Sequence, residues 1–124
     1  MEQDMRKNDT ILQKSEDYAV RVVNLCKYLR RESGEYVLSK QLLRSGTSIG
    51  ANVAEAQRAQ SKADFASKMS IALKEANETF YWLRLLYRTD YLTKEAFNSL
   101  HGDTEELLRI LTAICKTATA TPKK

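Results

Sequence analysis

Residues 41–56 read QLLRSGTSIGANVAEA, and the fold turns on how they are taken. Two glycines, two serines, a threonine and an asparagine give the stretch a loop-like composition. Its flanks nevertheless carry helical spacing, and no proline interrupts it. Leu38, Leu42, Gly46, Ile49 and Val53 fall on one helical face. Gly46, Gly50 and Ala54 recur every fourth residue as a ladder of small side chains. A glycine inside a helix costs about 1 kcal/mol relative to alanine. Two of them persist only where close packing offsets that loss. The spacing therefore predicts a helix from about Tyr36 to Ala59 that lets a neighbour approach closely.

Three further segments show the same periodicity. Upstream, Tyr18, Val22, Leu25 and Leu29 form a stripe widened by Ala19, Val23 and Cys26, and Gly34 is a plausible stop. Downstream, Ser61-Lys62-Ala63-Asp64 resembles a capping box. Phe65, Met69, Ala72, Leu73, Ala76, Phe80, Leu83 and Tyr87 follow as a long stripe. A fourth segment starts near Thr93, an expected N-cap, with Phe97, Leu100, Thr104, Leu107, Leu111, Ile114 and Ala118 in register and Gly102 as its weak point. The links near Gly34, Gln60 and Asp90 are short, which favours antiparallel neighbours. The predicted fold class is all-α, an antiparallel up-down-up-down four-helix bundle.

The 124 residues suffice for one domain, 1–124, with flexible tails expected at about 1–13 and 118–124. A content of 43% hydrophobic and 29% charged residues is globular, and a single proline with four glycines disfavours a sheet-rich fold. No secretory signal and no apolar run long enough for a bilayer is present, so the expectation is a cytoplasmic protein with no membrane partner. Cys26 and Cys115 read as reduced, buried thiols.

The outer faces of the middle helices carry a second pattern. Opposite the core stripe of the third helix lie Ile71, Glu75, Glu78, Trp82 and Leu85; opposite that of the second lie Arg44, Ser48, Ala51, Glu55 and Arg58. Tryptophan and arginine are favoured at interface centres, and small residues admit a neighbouring helix. Arg44, Ser48, Ala51, Glu55, Ile71, Glu75, Glu78, Trp82 and Leu85 are thus the candidate oligomer interface. Arg44 of one chain is expected to pair with Glu75 or Glu78 of another, while Trp82 packs on the ledge at Ser48 and Ala51.

Catalytic chemistry finds little support. A di-metal bundle needs Glu-x-x-His repeats, and the lone histidine, His101, has Asn98 three residues before it. SGTSIGAN lacks the lysine and the spacing of a phosphate loop. No serine has a general base in sequence reach. The expectation is a protein that is not an enzyme, with no catalytic residues, no metal and no cofactor. Net charge is +4, and residues 36–62 hold four bases against Glu55 alone. Arg30, Arg31, Lys40, Arg44, Arg58 and Lys62 are candidates for a basic surface that binds RNA or DNA, with Tyr28, Tyr36 and Tyr81 available to stack on bases.

QLLRSGTSIGANVAEA followed by SKADFASKMSIALKEANETFYWLRLL resembles the four helix bundle protein family, also called the rRNA intervening-sequence protein family. Residues 14–118 carry the match, with Arg44, Ser48, Ile49, Asn52, Glu55, Ser61, Asp64, Phe65, Ala72, Glu75 and Glu78 where the family pattern expects them. Ala56 stands where some relatives have glycine. The resemblance implies four-helix protomers that assemble as homopentamers, without an established enzymatic activity. It also implies kinship with the accessory variability determinant of diversity-generating retroelements, a more basic pentamer that binds nucleic acid. The resulting expectation is a homo-oligomeric scaffold, pentameric by preference, that binds RNA or DNA. The alternative is a protein–protein adaptor that binds no nucleic acid.

Overall fold

Gly34, with φ at +62°, ends the first helix, and the amide of Glu35 donates back to the Leu29 carbonyl at 3.1 Å. In the computed structural model, which describes residues 2–119 and side chains from Thr10 onward, four helices account for nearly all of the chain. They are α1 (Glu2–Ser33), α2 (Val37–Ala56), α3 (Lys62–Arg88) and α4 (Lys94–Thr119).

Each start has a local cause. At α2 the buried Glu35 carboxylate accepts from the amides of Val37 at 3.2 Å, Leu38 at 3.1 Å and Ser39 at 2.7 Å. One anion thereby covers three amides that the first turn leaves without helical acceptors. Ser61 caps α3 by accepting from the Asp64 amide at 3.0 Å, and Thr93 caps α4 by accepting from the Ala96 amide at 3.1 Å. Asp90, with φ at +68°, turns the chain between α3 and α4.

The stretch at 41–56 is helical throughout, and its glycines face α1. A Cβ on Gly46 would lie 2.8 Å from Val22 Cγ1, and one on Gly50 would lie 3.3 Å from the Ser15 carbonyl oxygen. A side chain at position 46 would therefore have to displace Val22, and one at position 50 would press on the α1 backbone. Around this contact the helices form a ring: α1 meets α2, α2 meets α3, α3 meets α4, and α4 returns to α1 through the thinnest seam.

The contacts run in opposing order along each pair. On α1 and α4, Lys14 meets Glu106 while Arg21 meets Asp103 and Ser99. On α2 and α3, Ser45 meets Thr79 while Glu55 meets Lys68. The core holds Val22, Leu29, Leu42, Ile49, Val53, Met69, Leu83, Leu86 and Leu111, all fully buried.

Two boundaries differ from the sequence reading. Residues expected as an N-terminal tail, 1–13, are helical from Glu2, and Ile11 is fully buried as part of the core. α2 ends at Ala56, and the following residues form a turn rather than further helix. At the C-terminus α4 runs to Thr119, and residues 120–124 of the expected tail lie outside the described residues.

A groove of about 250 Å³ opens along the α1–α4 seam, flanked by Lys14, Arg21, Asp103 and Glu106. At its floor the Tyr18 hydroxyl lies 2.6 Å from Thr104 Oγ1, and Thr104 donates to the Leu100 carbonyl at 2.7 Å. Thr104 spends its proton on Leu100, so Tyr18 is the donor between the two hydroxyls. Burial pushes the Tyr18 phenol up to about 12, and burial likewise pushes the Cys26 thiol up to about 11.

Gly46→Ala should destabilise the protein by about 1–2 kcal/mol, because overpacking against Val22 outweighs the gain in helix propensity. Adding Val22→Ala should recover part of that loss in a double-mutant cycle read by urea unfolding. Gly102→Ala faces open space on α4 and should instead stabilise by about 0.5–1 kcal/mol. Alkaline unfolding gives a second check. The unfolded Tyr18 phenol ionises near pH 10 and the buried one near 12. The tyrosine's stabilisation is therefore complete below about pH 10 and declines by about 2–3 kcal/mol as pH rises to 12. Tyr18→Phe should start less stable and lose that segment of the curve, leaving the Cys26 decline between about 9 and 11.

Candidate assembly face and basic surface

Arg44 projects from the outer side of α2, and both of its carboxylate partners belong to its own chain. Its Nη1 donates to Glu75 Oε2 at 3.1 Å, and its Nη2 donates to Glu78 Oε2. The carboxylates expected from a sister chain are met within one protomer, because α2 and α3 pack so closely that the guanidinium reaches both. The Glu75 side chain is only 12% exposed against 49% for Arg44, so the ion pair covers a nearly buried carboxylate. The bond from Glu78 and the charge of Glu75 raise the guanidinium's affinity for its proton above the ordinary arginine value.

A second tie, Lys68 Nζ to Glu55 Oε2 at 3.3 Å, closes the same seam nearer the other end. Between the two ties, the Ser48 hydroxyl donates to the Arg44 carbonyl at 2.6 Å and lies flat on its own helix. Ala51 is exposed beside it. On α3, Ile71 stands one turn from both Lys68 and Glu75, on the same stripe, and is 39% exposed. The two ties thus bracket a low ridge of Ser48, Ala51 and Ile71.

Trp82 departs from the sequence expectation. Its indole packs against the protomer's own core and edge-on to Tyr81 at 5.0 Å between ring centres. Its Nε1–H is buried with no acceptor among the described residues. Leu85 is half-buried. An aromatic assigned to an outer face by a helical wheel can lean back onto the core, and here it does.

The six candidate basic residues do not form one patch. Arg30, Arg31 and Lys40 flank the α1–α2 turn, while Arg58 and Lys62 flank the α2–α3 turn at the opposite end. From Lys40 to Ala56 the α2 axis advances about 24 Å. Arg44 lies between these groups and is committed to its two glutamates. Arg30 donates to Ser39 Oγ at 3.3 Å, and Arg31 pairs with Glu32 at 2.9 Å.

His101 lies against Phe80 at 4.6 Å between ring centres and contacts Glu105 at 2.9 Å. Among the described residues no group of three or more histidine, cysteine, aspartate or glutamate side chains converges as a metal site would require. Cys26 and Cys115 are free thiols, the first buried and donating to the Ser39 carbonyl, the second half-buried. No helix among the described residues is long and apolar enough to cross a membrane.

The family model described as 23S rRNA-intervening sequence protein matches residues 7–113. A solved structure from Bacteroides thetaiotaomicron, a protein of unknown function from the S23 ribosomal protein family, is 55% identical. It superposes with a TM-score of 0.87 over 89% of this chain and 98% of that one. No curated protein matches the chain.

Because Arg44 is bound in cis, Arg44→Met should lower stability by about 1–2 kcal/mol, between the values typical of exposed and of buried pairs. Denaturation midpoints measured across a hundredfold range of protein concentration check this. The loss should stay constant over that range, whereas a pairing between chains would make it grow with concentration.

Proposed function

The chain belongs to the 23S rRNA-intervening sequence protein family, and on that footing we propose that it acts as a non-enzymatic scaffold that assembles with copies of itself. A homopentamer is the favoured form, and RNA or DNA is the partner recruited through its basic charge. The observation that carries the reading is the ridge of Ser48, Ala51 and Ile71. It is low and partly apolar, and ion pairs internal to the protomer hold it rigid on both sides. Such a surface meets a second helix with little loss of side-chain entropy, because its flanking long side chains are already fixed. Assembly also concentrates charge: five copies of a +4 chain carry about +20, enough to attract a polyanion by counterion release.

A second reading, a protein–protein adaptor without nucleic acid, draws on the α1–α2 end, where Val37 is 73% exposed in the first turn of α2. Salt separates the two. Nucleic-acid binding weakens steeply as salt rises, in proportion to the phosphates neutralised, while an apolar contact at Val37 does not.

Sedimentation of the purified chain at micromolar concentration should give an assembly larger than a dimer. Ile71→Glu, at an exposed position, should leave helicity intact and shift the protein toward monomer, with an apparent association constant lower by about a hundredfold per contact. A wild-type monomer at these concentrations would remove the scaffold reading.

A further inference from the structure

We propose that one end of the bundle, formed by the α1–α2 and α3–α4 turns, binds single-stranded nucleic acid by holding phosphates on basic side chains and stacking bases on exposed tyrosines. This rests on the scaffold reading only in taking nucleic acid as the partner.

The opposing order of the helices brings the last turns of α1 and α3 and the first turns of α2 and α4 to a common end. Five of the six tyrosines fall there. Tyr87 is engaged, stacked on Phe97 at 4.5 Å with 12° between the ring planes. Tyr28, Tyr36, Tyr81 and Tyr91 are exposed. An exposed tyrosine ring on a protein surface is apolar area left in water, and four around one end give a nucleobase several faces to lie on.

Charge coincides with the rings. Lys27, Lys40, Arg84, Arg88 and Lys94 all lie at this end, with no carboxylate in ion-pair range among the described residues. Of the nearby acids, Glu35 is buried and turned onto the α2 amides and Glu32 is paired with Arg31, while Asp90 and Glu95 are exposed and leave the five cations in excess. Arg84 sits over the Phe80 ring at 5.1 Å, a guanidinium already held in the stacking manner.

Along the waist the bases are already taken: Arg44 is held by Glu75 and Glu78, Arg21 by Asp103 and Lys14 by Glu106, so they are less free to hold a phosphate. The far end has Arg58 and Lys62, but the remaining tyrosine, Tyr18, is buried. Only one end therefore combines cations with exposed rings. Stacking requires bases with open faces, which a duplex does not offer, so the geometry selects a single strand.

The test is fluorescence anisotropy on the full chain, using a labelled oligothymidine of about twenty nucleotides, a duplex of equal length, and polyglutamate as an acidic polypeptide. The single strand should bind at least tenfold tighter than the duplex at low salt. Tyr36→Ala with Tyr91→Ala should weaken the single strand about tenfold and change duplex binding less than twofold. Lys40→Glu with Arg88→Glu should weaken both and flatten the salt dependence, while Arg58→Glu with Lys62→Glu should leave the single strand within twofold of wild type. Circular dichroism and light scattering on each variant separate misfolding and loss of assembly from loss of binding. Equal affinity for strand and duplex, indifference to the tyrosine changes, or polyglutamate binding as tight as the oligonucleotide's would each overturn the proposal. A monomer that still binds the strand sinks the scaffold reading alone; an assembly that binds the duplex but ignores the strand sinks this inference alone.

Discussion

Position 46 of α2 lies so close to α1 that a methyl group there would come within 2.8 Å of Val22. Much of the architecture follows from that approach. The Gly46 and Gly50 backbone occupies space that side chains fill in most helix pairs, so α1 and α2 share a tight seam. The buried Tyr18, Val22, Leu42 and Ile49 line the adjoining core. The conformational cost of two helical glycines is offset by this packing, which is why a loop-like composition can be helical.

On the other side of α2 the same economy of side-chain size has a different consequence. Ser48 and Ala51 leave a shallow surface, and Arg44 and Glu55 do not extend from it but reach across to α3. The α2–α3 pair therefore behaves as one stiff layer, fastened outside by ion pairs and inside by the hydrogen bond from Thr79 to Ser45 at 2.9 Å. Assembly in this account needs no ion pair between chains. It needs only a rigid ridge with apolar area at its centre, and that is what internal pairing of Arg44 leaves behind.

Much of this was legible in the sequence. Periodicity placed the core faces of all four helices, and Gly34, Ser61 and Thr93 marked helix ends that the structure uses for physical reasons visible in the residue types. Buried polar detail was not legible. Glu35 as a cap for α2 has no fixed spacing signature, and a carboxylate at that point reads as surface charge until the turn at Gly34 is known. The partners of Arg44 were legible by residue, but that the protomer itself supplies them was not, since helical spacing gives direction from an axis and not distance to a neighbour. Trp82 failed for the same reason: a large ring on an outer face can lean back onto the core. Arg84, Arg88 and Tyr91 join the tyrosines of α1 and α2 only through the pairing of helix ends, so a scan along the chain passes over them.

The central claim is that α2 packs on two sides, against α1 through its glycines and against a sister chain through the ridge at Ala51. Its most direct test is the thiol-labelling rate of Ala51→Cys in a Cys115→Ser background, measured while protein concentration is raised through the micromolar range. The account predicts that labelling slows as concentration rises, while a Val37→Cys reporter at the exposed end of α2 keeps a constant rate. A rate at position 51 that stays as fast and as independent of concentration as at position 37 would contradict it.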